Sequence, residues 1–221
     1  MSPIVAALYD RLGDALAQIA TALRVPVLLA AILVLLAIAF EVGRYCAELW
    51  RRRRSRGAEL SELVLHAAAN PADRAYCAYR APSAFAEAAL ISIAAAAQAG
   101  SPTEIERALV AYELAVQRRL DRTRILVRAG PAIGLMGTLI PLAPGLGALS
   151  DGDVAKLGGG LRDALSATVV GLLVGTVAFA LTLTRTRMYS EDLAALERAA
   201  EILKAPAPAH ADPVLALSGR R

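Results

Sequence analysis

The stretch AGPAIGLMGTLIPLAPGLGAL, Ala129–Leu149, carries no charged residue. A helix needs about 20 mostly apolar residues to cross the hydrocarbon core of a bilayer. This stretch is long enough, and two more of the same kind flank it in the chain. Ala164–Thr184 is also uncharged. Val25–Val42 is the shortest, with Arg24 and Arg44 at its ends and Glu41 near its inner end. Long charged side chains there are expected to snorkel to the headgroups. A fourth run, Ala88–Ala99, is rich in Ala and follows Glu87. About a dozen residues suit a buried helix outside the membrane better than a span.

Composition points the same way. Of the 221 residues, 57% are hydrophobic, above the 45–50% usual for soluble domains. Only 5% are aromatic. Much of the apolar content is Ala, a weak hydrophobe and the best helix former. No segment shows sustained β-branched and aromatic alternation, so no sheet is expected. The fold class read from these facts is all-α. It is an integral membrane protein with three transmembrane helices, the second and third extended into the cytoplasm.

Arginine placement sets the orientation. Arg44, Arg51, Arg52, Arg53, Arg54 and Arg56 follow the first span; Arg118, Arg119, Arg122, Arg124 and Arg128 precede the second; Arg185 and Arg187 follow the third. The opposite ends have only Arg24, Lys156 and Arg162. The positive-inside rule then puts the N-terminus outside and the C-terminus in the cytoplasm, in a multi-pass protein of the cell's inner membrane. This topology signal also accounts for Arg51–Arg54 more simply than nucleic-acid binding does.

The expected layout is as follows. An amphipathic helix, 1–23, lies on the outer face with Ile4, Leu8, Leu12, Leu16 and Ile19 along one stripe. Span one is 24–44, a cytoplasmic helical segment 45–128, and span two 129–149. A short outer loop, 150–161, leads to span three, 162–184, then a cytoplasmic helix, 185–204. The Pro/Ala run from 205 to 221 is expected to be disordered. Ser101-Pro102-Thr103-Glu104 is a helix start, with an N-cap Ser, Pro at the first helical position and Glu at the third. Ile105, Leu109, Tyr112 and Val116 continue it at helical spacing. With no breaker before Gly130, span two is the outer half of one long helix. Pro141 and Pro144 predict a kink or local break within that span. No cleavable leader is expected, since Asp10, Arg11 and Asp14 precede the first apolar run.

Spans two and three differ in kind from span one. Gly130 and Gly134 form a GxxxG, as do Gly171 and Gly175, and Gly137 follows one turn later. Small residues let helices approach closely in lipid, whether inside one subunit or between subunits. Thr138, Thr168, Thr176 and Thr182 put hydroxyls into the spans. Each could simply bond back to its own helix. Asp163 opens span three, where an ionised carboxylate is costly and functional by default; pairing with Arg162 or Lys156 is the plainer reading.

Two stretches carry a family resemblance: Ala129-Gly-Pro-Ala-Ile-Gly-Leu-Met-Gly-Thr138 and Asp163-Ala-Leu-Ser-Ala-Thr168-Val-Val-Gly171-Leu. They resemble the starts of the second and third spans in the MotA/TolQ/ExbB proton-channel family. The layout is similar too. The resemblance implies a pentamer whose second and third spans line a pore. In that pore sits a single-span ExbD-, TolR- or MotB-like partner with a membrane aspartate. It implies that Thr138 and Thr168 are pore-facing hydroxyls near that aspartate, with Asp163 near the outer mouth. Asp163 stands where the family often has glutamate, and the family's commoner pattern lacks Pro141 and Pro144.

The function expected is an ion-channel subunit of a motor complex, with the proton as the expected ion; the alternative is a membrane scaffold that anchors a partner without conducting. Threonine hydroxyls serve H⁺ or Na⁺ alike. No enzyme is expected: there is no nucleophile with a base and no metal-ligand spacing. Cys46 and Cys77 form neither a metal motif nor a disulfide framework. His66 and His210 are far apart in sequence. No cofactor and no nucleic acid are expected.

Overall fold

The computed structural model describes residues 3–55, 59–150 and 152–205. These are helical throughout, with no strand among them: α1 Pro3–Arg54, α2 Leu60–Ala69, α3 Arg74–Arg80, α4 Ala84–Gln98, α5 Pro102–Ser150 and α6 Val154–Lys204. A 3₁₀ turn, Pro71–Asp73, precedes α3. Three helices, Ala22–Arg54, Pro102–Leu142 and Leu157–Lys204, are long and apolar enough to cross a membrane. At about 1.5 Å per residue, the 49-residue α5 is more than twice as long as an approximately 30 Å hydrocarbon core requires.

Several boundaries differ from the sequence expectation. α1 is one helix from Pro3 to Arg54, with Pro26 inside it and no break between the expected surface helix and span one. On the expected stripe, Leu12 and Ile19 are exposed; the side chains of Ile4, Leu8 and Leu16 lie outside the described residues, as do Arg56 and the tail beyond Ala205. α5 runs through Pro141 and Pro144 to Ser150, so the expected local break is absent. Proline's fixed φ is helical, and its cost is one unmade hydrogen bond and a crowded carbonyl one turn back. α6 takes up most of 150–161, starting at Val154. Gly152, at φ +78°, supplies the left-handed turn before it.

Contacts divide the chain into two units, residues 1–47 with 118–186 and residues 48–117 with 187–221. In the first, α1, α5 and α6 pack around Ile38, Val174, Ala178 and Leu181, with Val42, Leu126 and Val127 against them. Its outward surface is apolar. Leu29, Leu33, Leu36 and Phe40 on α1, Leu135 and Leu139 on α5, and Val169, Leu172 and Phe179 on α6 are all exposed. So much contiguous apolar surface is stable in lipid rather than water.

The second unit has an ordinary buried core. α4 is one of its helices: Ala86, Ala89, Leu90, Ile93 and Ala94 are buried, and Ser83 caps it by accepting from Ala86 N at 3.1 Å. Ile105, Tyr112 and Val116 of α5 and Leu196 of α6 are buried as well. Phe85 meets Tyr189 edge-to-face at 5.9 Å. Arg52 holds Asp192 through two hydrogen bonds of 3.0 and 2.6 Å, and Tyr112 donates to the Tyr189 carbonyl at 3.2 Å. At the start of α5, Ile105 N donates to Ser101 O at 3.3 Å. Glu104 pairs with Arg107 rather than turning back to the cap.

Candidate functional site

The glycines decide how closely α5 and α6 meet in the first unit. A methyl group built on Gly171 would stand 2.6 Å from the Gly130 carbonyl oxygen and 2.7 Å from Gly134 Cα. One on Gly130 would meet the Gly171 oxygen and the Gly175 nitrogen, both at 2.8 Å. One on Gly137 would meet the Ala167 methyl at 2.6 Å. These glycines therefore pack two helices of one chain backbone to backbone. Pro131 adds to the contact: its ring lies 2.8 Å from where a Gly175 side chain would start.

This contact fixes the register of the hydroxyls. Thr138 sits one residue beyond Gly137 on α5, and Thr168 one residue beyond Ala167 on α6, so both follow the Gly137–Ala167 contact. Both are half-buried. Thr138 donates to the Leu135 carbonyl at 2.7 Å, and Thr168 lies 3.5 Å from that of Ala164. Thr182 back-bonds to Ala178 at 2.8 Å in the same way. A hydroxyl that donates inward to its own helix still presents oxygen lone pairs outward. It can accept a hydrogen bond from water, a hydrated proton or a protonated carboxyl group.

Asp163 lies one turn and a half before Thr168 on α6. Its sequence neighbours Arg162 and Lys156 were the expected partners; the side chain of Lys156 lies outside the described residues, and the structure pairs Asp163 with Arg24 of α1, at 3.5 Å. Both side chains are about half exposed, 57% for Asp163 and 49% for Arg24, which leaves the carboxylate open to solvent or ions. Asp163 also borders a groove of about 380 Å³ whose walls, apart from Ser166, are otherwise apolar residues of α1 and α6, among them Leu28, Leu35 and Val170.

A second polar cluster in this unit was not foreseen as a site. Arg119 forks onto both carboxylate oxygens of Glu41, at 3.0 and 2.9 Å. Arg185 reaches the same group at 2.7 Å and the Glu41 carbonyl at 3.3 Å. All three side chains are buried, Arg185 completely, and its guanidinium lies 5.8 Å from the Tyr45 ring centroid. In the sequence, Arg119 and Arg185 count only as topology signals. The missed clue is that Arg119 falls on the same stripe as Tyr112 and Val116, three residues beyond the latter.

Neither the cysteines nor His66 make a further centre; His210 lies outside the described residues. Cys77 is buried and Cys46 exposed. Burial, then nearby Asp73, pushes the Cys77 thiol up, away from the reactive thiolate. His66 does have a neighbour, Asp73 at 3.1 Å, on an exposed surface. Among the described residues, no group of three or more His, Cys, Asp or Glu side chains is placed to hold a metal ion.

A family model described as the MotA/TolQ/ExbB proton channel family matches residues 79–198, more than half of the chain. The chain belongs to the MotA/TolQ/ExbB proton channel family. No curated protein and no solved structure gives a match. The family match takes in Thr138, Asp163, Thr168 and all the glycines of the α5–α6 contact. Glu41 and Arg24, the α1 partners of the two polar clusters, lie outside it. As a family member with three spanning helices, this is a multi-pass membrane protein of an ion-channel family.

Proposed function

We propose that the protein is the ion-channel subunit of a motor complex, in which proton flow moves a single-span partner protein. The observation that carries this reading is the family match over residues 79–198, which contains both the Thr138 and the Thr168 motifs. The subunit acts as a ring, five copies around the partner, in the inner membrane. Its N-terminus lies outside, and its C-terminus and the second unit are cytoplasmic. Protons enter near Asp163 and pass the Thr138 and Thr168 hydroxyls. They then neutralise a carboxylate on the partner's membrane helix. Loss of that charge releases its electrostatic hold and lets ring and partner turn against each other. The driving force is about 2.3 kcal/mol per charge per 100 mV, several times thermal energy.

The test is proton uptake into proteoliposomes that hold the chain with its single-span partner and a trapped pH dye. Thr168→Val and Asp163→Asn are expected to slow uptake at least tenfold while the assembly's native mass is kept. Unchanged uptake in both variants would overturn the channel reading. Repeating the assay under a sodium gradient identifies the ion.

One observation favours a second reading, a sealed scaffold that anchors the partner. Thr138 and Thr168 both turn back to their own helices, and Asp163 has a cationic neighbour in Arg24. On that reading, the wild-type complex retains its partner and conducts nothing.

A further inference from the structure

A cavity of the second unit is lined by none of the residues placed on the proposed ion path. It holds about 640 Å³ and is lined where the end of α1 meets α3 and the start of α4. Three arginines, Arg51, Arg54 and Arg80, line it with a single acidic residue, Glu87. Arg51 is committed: it binds Glu87 at 2.6 Å and the Ala81 carbonyl at 3.2 Å. Arg54 and Arg80 are not. Arg54 stacks over the Trp50 ring at 4.4 Å and touches the Tyr79 hydroxyl at 3.5 Å. Arg80 donates to the Tyr76 hydroxyl at 3.1 Å. The Arg80 Nε is buried and has no hydrogen-bond partner among the described residues; buried donors of this kind are rarely left unmatched.

We infer that this cavity binds a phosphate-bearing ligand, held by Arg54 and Arg80 against the aromatic wall of Trp50 and Tyr79. A guanidinium flattened on an indole keeps its N–H edge free, and that edge matches two phosphate oxygens at once. After the Arg51–Glu87 pair cancels, two positive charges remain for a monoanionic or dianionic phosphate. The ring faces suit the carbon part of an ester. Trp50 and Arg54 stand on α1 past the apolar run Val25–Val42, and Trp and Arg so placed are typical of headgroup level, so an acidic phospholipid is one source of the group. A soluble phosphate ester is the other.

Trp50 is the single tryptophan of the chain, so its fluorescence reads this cavity alone. The experiment titrates the full-length protein in detergent with short-chain phosphatidylglycerol, short-chain phosphatidylcholine, glycerol phosphate and inorganic phosphate. A saturable change with phosphatidylglycerol alone assigns the site to an acidic headgroup. A change with glycerol phosphate as well assigns it to phosphate esters in general. In either case Arg80→Gln should weaken binding tenfold or more at unchanged helix content, with Arg54→Lys, which keeps the charge and loses the fork, as the second variant. No saturable change with any phosphate probe would overturn the inference. So would an equal response to phosphatidylcholine, or unaltered affinity in both variants. No ion gradient is present, so the outcome is independent of whether the chain conducts.

Discussion

At Glu41 a single carboxylate serves two buried guanidiniums. Removing one member of such a group strands charge in a poor solvent, at a cost of about 3–5 kcal/mol. Glu41→Ala is therefore expected to lower the thermal stability of the detergent-solubilised protein sharply, and Arg119→Lys, which loses the two-pronged grip, to lower it less. Equal stability of Glu41→Ala and wild type in a thermal unfolding scan would contradict this. The sequence shows Glu41 only as a charge near the end of an apolar run. Its partners are 78 and 144 positions away, and periodicity along one helix says nothing of residues so distant. The same limit hid Arg24 as a partner of Asp163: local reasoning looked only to sequence neighbours, while Arg24 comes from another helix. The cysteines differ more simply. Cys46 should react with a maleimide in the folded protein. Cys77, buried and with its thiol pushed up, should resist it until the protein is denatured; any alkylation in the folded protein should set in at a higher pH than for an ordinary thiol. Prompt labelling of both at neutral pH would refute the burial of Cys77.

At the scale of the helix, the close contact of α5 and α6 rests on glycines whose added side chains would strike backbone, which cannot yield as a flexible side chain can. Gly171→Ala should therefore destabilise the protein by roughly 1–3 kcal/mol, the usual cost of overpacking. Gly43→Ala is the control: nothing lies within 4 Å of a methyl group there, and the gain in helix propensity should raise stability by up to about 1 kcal/mol. If both variants shift the unfolding temperature alike, the close contact is not what these glycines provide. The GxxxG spacing marked these glycines for helix packing in advance but left open whether the partner helix belongs to the same chain. The ends of the helices were less legible. Glycines in 150–161 and prolines in 129–149 suggested loop and break on local propensity, yet α6 incorporates Gly158, Gly159 and Gly160 and α5 incorporates Pro141 and Pro144. Continuation of a long helix outweighs a cost of about 1 kcal/mol per glycine.

For the molecule as a whole, three uninterrupted apolar runs made the membrane-spanning, all-helical fold readable from sequence, because lipid imposes a minimum length that few soluble helices mimic. The two motifs made the family readable, and the family match extends well beyond them, from residue 79 to residue 198. The chemistry of the second unit stayed hidden, since Arg51, Arg54, Tyr79 and Arg80 converge only on folding. On the function proposed above, copies of this chain form a ring that encloses a single-span partner, with α5 and α6 toward the pore. The most direct test is the native mass of the detergent-solubilised complex, purified alone and after co-expression with a short single-span protein that carries a membrane aspartate. Five copies of the chain with one or two partner chains are expected. A monomer or dimer whose mass does not change with the partner present would contradict it.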